Sequence, residues 1–433
     1  MPELNSQYDV IIIGAGPAGS LAASLLTQNN VSVLVVEKQH FPRFSIGESL
    51  LPQSMVYLQE ANMVDAIKAA APELGFQYKD GAAFFADNHP CHFDFGEKFT
   101  PGPGSTFQVK RAPFDQLLAQ VAEQQGATFC FGQQVTQVRL QDPCIVTLQD
   151  EDGTSRDIQT RFILDASGFA KVLPRLLDLT LPSTFPVRSS VFCHVQDNID
   201  SKTYDRNKIL IETHPQCKDV WYWLIPFADG TASVGCVAKP DFFEKLESEQ
   251  LETVSSSHEH SSHEHSVHEQ WFDEAVNQSV RIKQLLATST KANSVQYITA
   301  YSSNVKQLFG ERYALLGNAG EFLDPIFSSG VTIAFKSAKL ATDVLLKQLN
   351  DEDVCWQSEF ADPLQQGVQT FKAFVESWYQ GQLQDIIHFD DAPENIREMV
   401  CSILAGYAWD TNNPFVKHAK RRLNTLGQLC ATS

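Results

Sequence analysis

Three glycines near the N-terminus have the spacing of a turn that binds phosphate groups. Gly14, Gly16 and Gly19 directly follow an apolar run at residues 10–13 and open a segment with helical character. The first glycine permits a tight turn, the second lets a pyrophosphate approach the backbone, and the third allows helix and strand to pack closely. The unpaired N–H groups of a helix that begins here attract the phosphates. The segment therefore predicts a site for an adenine dinucleotide.

A second strand and an acidic residue complete this unit. Residues 31–36 form another apolar run, and Glu37 ends that run. An acidic residue about 20 positions after the glycine turn is placed to accept a hydrogen bond from a ribose hydroxyl. The complete order of strand, turn, helix, strand and acid is more specific than three glycines. A glycine-rich turn of another α/β fold stays open as the alternative.

Two later turns repeat the pattern of an apolar strand followed by small residues. They are DASG at residues 165–168 and GNAG at residues 317–320. A flavin dinucleotide that runs across the ends of a parallel sheet needs several close approaches of the backbone. The three turns together favour FAD, and NAD(P) at the first turn remains the alternative.

The composition is that of an ordinary soluble globular protein. The 433 residues are 43% hydrophobic and 20% charged, and the formal net charge is -19. This charge argues against nucleic acid and anionic membranes as partners, and no apolar run is long enough to span a membrane. The nine cysteines are scattered without metal-site spacing. With no signal-peptide pattern at the N-terminus, they predict a cytoplasmic protein that has no metal site.

Periodicity predicts helices and strands in alternation, with one low-complexity segment. Helical patterns run over residues 55–71, 271–287 and 332–349. The histidine-rich segment 254–270 is expected to be a mobile, solvated loop, and casual metal binding by its histidines is the alternative. After residue 349 the pattern is mostly helical, with breaks around residues 388–393 and 410–414.

The landmarks of the chain occur in the order that is typical of one superfamily. GAGPAG, Glu37, Arg111 followed three residues later by FD, and the turns at 165–168 and 317–320 resemble those of flavin monooxygenases with the para-hydroxybenzoate hydroxylase type of fold. The resemblance covers residues 8–345. It implies FAD as the cofactor and an α/β fold, in which a Rossmann-like FAD-binding domain is joined by a β-sheet substrate domain and a helical C-terminal region.

The same resemblance implies how these parts divide the chain. The FAD-binding domain is expected to be discontinuous, with the β-sheet substrate domain inserted into it. The expected boundaries are 1–85, 106–175 and 296–348 for the FAD-binding domain, 86–105 and 176–295 for the substrate domain, and 349–433 for the helical C-terminal region.

Two further motifs resemble those of the flavin-dependent halogenases. WYWLIP at residues 221–226 fits the WxWxIP pattern, and FLDPIFSSG at residues 322–330 fits the FxxPxxSxG pattern. Such enzymes use reduced FAD, oxygen and chloride or bromide. The resemblance places the halide beside the backbone of Ser329 and Gly330. It makes Trp221 and Trp223 a wall that keeps the organic substrate away from the flavin.

Lys79 matches the family's lysine, which delivers the oxidised halogen, held as hypohalous acid, to the substrate. Its ammonium can donate a hydrogen bond to hypohalite, or the amine can react to a haloamine once its pKa is lowered. A surface lysine beside Asp80 is the alternative. Glu48 also belongs to the expected catalytic set, and a structural or flavin-gating role is favoured over direct catalysis.

The resemblance also assigns a set of FAD-binding residues. Arg43 has an alternative role as an ion-pair partner of Glu48, and Asn318 stands where the superfamily has aspartate, so that a charge is lost. The expected set is Gly14, Gly16, Pro17, Ala18, Gly19, Glu37, Lys38, Arg43, Ser49, Arg111, Asp165, Gly168, Asn318, Gly320, Gly330 and Val331.

One departure bears on the substrate. Phe327 stands where tryptophan halogenases carry a glutamate, so that Phe327 and Pro325 are expected to line a pocket for a phenol, a pyrrole or a carrier-tethered group. A basic cluster near the C-terminus can dock an acidic acyl carrier protein, and a solvated helix face is the alternative. The cluster is Lys417, Lys420, Arg421 and Arg422.

The sequence therefore predicts a halogenase that depends on reduced FAD and acts on an electron-rich aromatic or a carrier-tethered substrate. No second dinucleotide unit is present for NAD(P)H, so the resemblance implies a separate flavin reductase. The alternatives are an FAD-dependent aromatic hydroxylase or reductase without halogenating activity, and a non-catalytic flavoprotein in a biosynthetic complex.

Overall fold

The computed structural model describes residues 4–183, 185–251, 263–299, 304–321, 323–391 and 393–430. The chain divides into two compact units, each made of three segments. Unit 1 contains Met1–Leu74, Lys110–Thr184 and Ser303–Gln369, and unit 2 contains Gly75–Val109, Phe185–Ser302 and Thr370–Ser433. The three-part domain division expected from the sequence stays a prediction.

Strands and helices alternate along much of the chain. The strands are β1 (Gln7–Ile13), β2 (Val33–Glu37), β3 (Gln77–Lys79), β4 (Gly81–Ala86), β5 (His89–Asp94), β6 (Thr106–Gln108), β7 (Thr128–Phe131), β8 (Gln133–Arg139), β9 (Cys144–Asp150), β10 (Ser155–Asp165), β11 (Thr180–Leu181), β12 (Ser189–Gln196), β13 (Lys208–Thr213), β14 (Trp221–Pro226), β15 (Thr231–Ala238), β16 (Thr290–Lys291), β17 (Gln296–Thr299), β18 (Asn304–Val305), β19 (Phe309–Gly310) and β20 (Tyr313–Leu315). The helices are α1 (Pro17–Thr27), α2 (Ser54–Glu60), α3 (Val64–Leu74), α4 (Arg111–Gln124), α5 (Val172–Leu176), α6 (Pro240–Leu251), α7 (His263–Gln278), α8 (Arg281–Leu285), α9 (Ser329–Leu349), α10 (Asp362–Tyr379), α11 (Gln382–Ile387), α12 (Glu394–Leu404), α13 (Pro414–Lys417) and α14 (Ala419–Cys430).

The sheet of unit 1 brings the glycine turns to one edge. Its strands run in the order β19-β20-β10-β1-β2-β7, in which β20, β10, β1, β2 and β7 are parallel to one another and β19 is antiparallel to β20. The parallel strands are apolar runs without polar alternation, because helices cover both faces of such sheets. The carboxyl ends of β20, β10, β1 and β2 therefore lie side by side. Each of the first three leads into one of the predicted turns.

The sheet of unit 2 is mainly antiparallel and has two different faces. Its order is β16-β12-β15-β14-β13-β4-β5, and β17 also pairs with β12. On β14, Tyr222 and Leu224 point into an apolar core that includes residues of α6, α7 and α8. Side chains alternate along a strand, so Trp221 and Trp223 point to the opposite face. A separate ribbon of β3 and β6 lies in the same unit.

Several boundaries differ from the sequence-based expectations. The helix predicted over 55–71 is two helices, α2 and α3, because Asn62 between them adopts a left-handed conformation with φ of 54°. The helix predicted from 332 begins earlier, at Ser329. The predicted loop at 254–270 was wrong in its second part, since α7 begins at His263. Residues 252–262, with His258 and His260, lie outside the described residues.

The α/β fold class is confirmed, and the helical character after residue 349 agrees with α10 to α14. The predicted breaks at 388–393 and 410–414 fall between α11 and α12 and before α13. In the part of the chain that the structure describes, no helix has the length and apolar character needed to span a membrane.

Candidate active site

The first glycine turn contains two positions that no side chain can occupy. Gly14 has φ of +100°, and a Cβ built there would lie 2.6 Å from the carbonyl oxygen of Ala166. A Cβ at Gly19 would lie 1.9 Å from the carbonyl oxygen of Gly14. The turn after β1, the turn after β10 and the start of α1 therefore meet backbone to backbone, as expected of a turn that receives a dinucleotide.

Unsatisfied hydrogen-bond donors gather at the start of α1. Gly16 is the N-cap of α1 and provides no side-chain cap, and Pro17 has no N–H group of its own. The Nη2 atom of Arg43 lies 3.5 Å from the position of a Cβ at Gly16. Its Nε atom is buried and has no hydrogen-bond partner among the described residues. A helix N-terminus beside an orphaned guanidinium donor fits the pyrophosphate of FAD.

Arg43 joins the acid at the end of β2 to α4. Its Nη2 atom lies 3.5 Å from Oε2 of Glu37, and its Nη1 atom lies 3.4 Å from Oδ2 of Asp115. Glu37 also accepts a hydrogen bond from the backbone N–H of Ala15 at 3.0 Å. The alternative pairing of Arg43 with Glu48 was wrong, because the ion-pair partners of Arg43 are Glu37 and Asp115.

Arg111 fixes the loop that follows β2. Its guanidinium makes two hydrogen bonds to the carboxylate of Asp115, at 2.8 and 3.0 Å, and Nη1 donates to the backbone carbonyls of Ile46 and Gly47. The Asp115 carboxylate is fully buried between two arginines. Sequence reasoning noted this aspartate only as part of the FD pair after Arg111. Its position one helical turn after the arginine could have identified it as the partner.

The second turn is organised by Asp165. Its Oδ1 atom accepts a hydrogen bond from the N–H of Ser167 at 2.9 Å, and Oδ2 accepts from the N–H of Leu173 at 2.7 Å. Burial raises the pKa of Asp165. The carboxylate thus stabilises the turn itself, and its contact with FAD stays a prediction. Gly168 has φ of +60°, and no atom lies within 4 Å of a Cβ built there, which leaves backbone open to a ligand.

The third turn presents an amide. Gly317 has φ of +51°, and its N–H donates to Oγ of Ser337 at 2.8 Å. The half-buried side chain of Asn318 makes no hydrogen bond to any residue that the structure describes. Its contact with FAD stays a prediction. Packing favours glycine at position 320, because a Cβ there would lie 2.8 Å from the side chain of Leu308.

The remaining residues of the expected FAD set differ in exposure. Ala18 and Val331 are buried on α1 and α9, and Ser49 and Glu48 are buried in the loop after β2. Lys38 is exposed.

The segment expected to hold halide begins α9. Ser328 adopts a left-handed conformation with φ of 55° and directly precedes the helix, so the chain turns sharply there. Ser329 is buried at the first helical position, and no atom lies within 4 Å of a Cβ built at Gly330. Open space beside the N-terminus of a 21-residue helix suits an anion. Phe327 is buried and Pro325 is exposed, while Phe322 lies outside the described residues.

The two motif tryptophans are held rigidly in unit 2. Trp221 donates its indole N–H to Oη of Tyr379 at 3.0 Å, and Trp223 donates to Oγ of Ser233 at 3.1 Å. Their ring centroids are 6.0 Å apart. A Cβ at Gly235, which pairs with Trp223 across the sheet, would lie 2.4 Å from the Trp223 ring. Sequence reasoning missed these three partners, because strand pairing and tertiary contacts bring them together.

Lys79 is buried, with only 1% of its surface exposed. Burial lowers its pKa to about 7, and its Nζ atom lies 5.4 Å from the centroid of the Phe95 ring. The alternative of a surface lysine beside Asp80 was wrong, because Asp80 pairs with Lys208 at 2.9 Å. An amine with this pKa is present in both protonation states near neutral pH, as proton transfer or nucleophilic chemistry requires.

Comparison with known proteins agrees with this geometry. The family model described as "FAD binding domain" matches residues 7–301. A 1H-pyrrole-2-carbonyl-[peptidyl-carrier protein] chlorinase of Pseudomonas fluorescens is 29% identical over 400 residues, which cover 86% of this chain and 84% of that protein. A solved flavoprotein/dehydrogenase from Cytophaga hutchinsonii is 36% identical, has a TM-score of 0.89 and covers 98% of this chain and 99% of that chain. The flavin-dependent brominase Bmp2 shares the fold, with a TM-score of 0.80, 23% identity, and 99% of this chain and 100% of that chain covered.

The chain belongs to the FAD-binding-domain family, and it is an FAD-dependent oxidoreductase. The predicted FAD cofactor is confirmed, as is the predicted resemblance to the flavin-dependent halogenases. The roles of the individual site residues stay predictions. Among the described residues, no group of three or more histidine, cysteine or acidic side chains is arranged to hold a metal ion.

The burial of Lys79 makes a prediction about stability. Its pKa is about 7 in the folded protein and 10.5 in the unfolded chain. Between these values only the unfolded chain binds the proton, so the free energy of unfolding rises with pH by about 1.4 kcal/mol per unit. Lys79→Met removes this dependence. In denaturant unfolding, the free energy of unfolding of wild type relative to that of Lys79→Met should therefore be lowest below pH 7. It should rise steadily as the pH is raised to 10.5.

The exposed Lys68→Met is the control for that measurement, and it should leave the pH dependence of wild type unchanged. A Lys79→Met difference that is constant from pH 6 to pH 10.5 would contradict the burial of an uncharged amine.

The contact between Gly235 and Trp223 makes a second prediction. Gly235→Ala places a methyl group where the indole lies, so the ring must move and the free energy of unfolding should fall by about 1–3 kcal/mol. The near-ultraviolet circular dichroism of the tryptophans should change as well. Ser233→Ala is the control, since it removes the indole's hydrogen-bond acceptor without adding volume. Identical spectra for wild type and Gly235→Ala would refute the packing.

Proposed function

We propose that this protein is a halogenase that uses reduced FAD, oxygen and chloride or bromide, and that it acts on an electron-rich aromatic or a carrier-tethered substrate. The observation that carries the proposal is the burial of Lys79, an amine whose pKa is held at about 7. A buried lysine costs stability, so its presence at this position argues for a chemical role. The similarity to a carrier-protein chlorinase over 86% of the chain supports the same reaction class.

The halide is assigned to the N-terminus of α9. The N–H groups of Ser329 and Gly330 belong to the first helical turn, where N–H groups lack intrahelical partners, and the helix dipole favours an anion. Ser329 is buried, which removes competing water. When bound and reduced, FAD would reduce oxygen to the peroxide level, and oxygen at that level would oxidise the halide to hypohalous acid. Trp221 and Trp223 are assigned the exclusion of organic substrate from the flavin.

Lys79 is assigned to hold the oxidised halogen and present it to the substrate. The ammonium form donates a hydrogen bond to hypohalous acid and makes its halogen more electrophilic. The neutral amine instead displaces hydroxide or water from the halogen and carries it as a haloamine. Both forms are populated near pH 7, so both routes stay open, and either accounts for a lysine buried beside the Phe95 ring.

The basic cluster is assigned to dock an acidic carrier protein. Lys417, Arg421 and Arg422 are exposed, and no carboxylate among the described residues pairs with them; Lys420 alone lies near one, Glu376, at 3.4 Å. The three last residues of the cluster lie in the first turn of α14. The helix dipole makes cations there unfavourable by about 0.3–1 kcal/mol each. Unpaired cations at an unfavourable position in a chain of net charge -19 argue for an acidic partner.

A flavin oxidoreductase that does not halogenate is the second candidate. The observation in its favour is the 36% identity with the flavoprotein/dehydrogenase, over 98% of this chain. Such an enzyme would bind FAD in the same way and would not depend on halide.

A separate flavin reductase and a cytoplasmic location complete the proposal. All nine cysteines are free thiols, which supports a reducing compartment. Glu48 is assigned a gating role in the buried loop after β2 rather than a place in the halogen chemistry.

Halide oxidation is tested without knowing the substrate. Reduced FAD, oxygen and bromide are supplied, catalase removes stray peroxide, and bromination of a dione that traps hypobromite is measured. Wild type should brominate the trap well above free flavin. Gly330→Ala places a methyl group in the open space beside the proposed halide site, so bromination should fall at least about tenfold. FAD binding is measured on the same variant.

Lys347→Ala, at the far end of α9, is the matched control and should behave as wild type. Lys79→Met should still brominate the trap, because its assigned role lies after halide oxidation. Peroxide as the sole product of wild type with every halide would reject the halogenase and leave the non-halogenating oxidoreductase.

Carrier docking is tested by a reversal of charge. Arg421→Glu should weaken binding of an acidic holo-acyl carrier protein, and the loss should shrink as salt screens the interaction. Fluorescence anisotropy of a labelled carrier measures the affinity. Lys68→Glu makes the same charge change on an exposed helix position of unit 1 and should have little effect. Equal losses for both variants would show that net charge, rather than the basic cluster, governs binding.

A further inference from the structure

The ribbon that carries Lys79 has an unusual polar face. β3 and β6 are antiparallel, and Lys79 pairs with Thr106 while Gln77 pairs with Gln108. Side chains alternate along each strand, so these four residues share one face. Lys79, Thr106 and Gln108 are almost completely buried.

Two oxygen atoms on this face lack partners. Oγ1 of Thr106 and Oε1 of Gln108 are buried and accept or donate no hydrogen bond among the described residues. The amide of Gln108 is oriented by its other end, since Nε2 donates to the backbone carbonyl of Arg206 at 3.0 Å. A carbonyl only accepts, so the nitrogen must face Arg206. Oε1 of Gln108 is therefore left as a buried acceptor.

A buried polar atom without a partner destabilises the folded protein, and few occur in native proteins. Two of them stand on one ribbon face together with the lysine assigned to halogen transfer. Gln77, on the same face, differs because its amide donates to Oδ1 of Asn207 at 2.9 Å. The two orphaned oxygens therefore lie on the ribbon face that carries Lys79, and one of them belongs to Thr106, the residue paired with Lys79.

We propose that Thr106 and Gln108 form a substrate subsite that recognises a hydrogen-bond donor on the aromatic ring, a pyrrole N–H or a phenol O–H. The inference rests on the proposed function and names the substrate class for the same site. Oε1 of Gln108 accepts the hydrogen bond from the ring donor. The hydroxyl of Thr106, which both donates and accepts, pairs with a neighbouring polar atom of the substrate.

The hydrogen-bond donor that this subsite binds is also the group that makes the aromatic ring reactive toward an electrophilic halogen. The nitrogen of a pyrrole and the oxygen of a phenol are the atoms whose lone pairs make the ring electron-rich, and each carries the N–H or O–H that donates a hydrogen bond to Gln108. A ring without such a donor leaves Oε1 unpaired and is rejected. Because Lys79 faces Thr106 across the ribbon, a ring held by these two residues presents a fixed edge to the amine.

The experiment measures binding alone, without halide, oxygen or reduced flavin. The probes are pyrrole-2-carboxamide and furan-2-carboxamide, which have nearly the same shape but differ in a ring N–H. Resorcinol and 1,3-difluorobenzene are the phenol arm. Ligand-observed NMR titration of the FAD-loaded full chain gives the affinities. The donor of each pair should bind about 10- to 100-fold more tightly, as expected when a buried acceptor would otherwise stay unpaired. Which pair shows the preference identifies the source of the donor.

Thr106→Val and Gln108→Met are the test variants, and Gln77→Met is the matched control on the same face. Gln108→Met should reduce the preference for the donor to less than about threefold. Thr106→Val should weaken the donor probes and should unfold at the same or a higher temperature, because it removes an orphaned buried hydroxyl. Gln77→Met should keep the preference.

Equal binding of the two members of both pairs to wild type would overturn the inference. So would a preference that survives Gln108→Met, which would indicate that water, not substrate, satisfies the amide. Failure of halogenation with the preference intact would reject the proposed function and keep the subsite.

Discussion

The contact between the turn after β1, the turn after β10 and the start of α1, at the edge of the parallel sheet, governs the rest of unit 1. The carbonyl of Gly14 lies where a side chain at position 19 would be, and the carbonyl of Ala166 lies where a side chain at position 14 would be. Backbone at this distance leaves no room for a side chain between adjacent strands. The backbone polar groups of the turns consequently lie close together at one edge of the sheet. The N-terminus of α1 lies at the same edge, as the binding of a pyrophosphate requires.

Buried ions extend this constraint beyond the turns. Asp115 is completely buried and binds two arginines, one of which reaches Glu37 at the end of β2 while the other holds the carbonyls of the loop at Ile46 and Gly47. Removing one member of such a network leaves an uncompensated charge in a low-dielectric interior, which costs about 3–5 kcal/mol. The Nε atom of Arg43 is buried in this network without a partner among the described residues, and its contact with FAD stays a prediction.

Unit 2 likewise contains buried polar groups, which lie on the ribbon that carries Lys79. Burial lowers the pKa of Lys79, and the ribbon face that carries it has two oxygen atoms without hydrogen-bond partners among the described residues, Oγ1 of Thr106 and Oε1 of Gln108. On the other sheet of this unit, Trp221 and Trp223 are each held by a hydrogen bond, and Gly235 packs against Trp223. Rigid aromatic rings and unpaired polar atoms in one unit are typical of a surface shaped for a small molecule.

Local pattern was enough to predict much of this fold. The apolar runs before each glycine turn became β1, β10 and β20, and the WYWLIP motif at residues 221–226 forms β14. These features depend on residue type and spacing within a few positions. The split between α2 and α3 was missed because a single left-handed residue, Asn62, interrupts a continuous apolar periodicity.

By itself the sequence determined the fold class, the FAD cofactor and the family, because a glycine turn, a strand and a motif are written in consecutive residues. Only the tertiary structure decided that Lys79 is buried with a lowered pKa, and that Arg43 pairs with Glu37 and Asp115 rather than with Glu48. Burial and ion pairing depend on residues far apart in the chain. A side chain's environment is therefore set by the packing of elements, which no local pattern encodes.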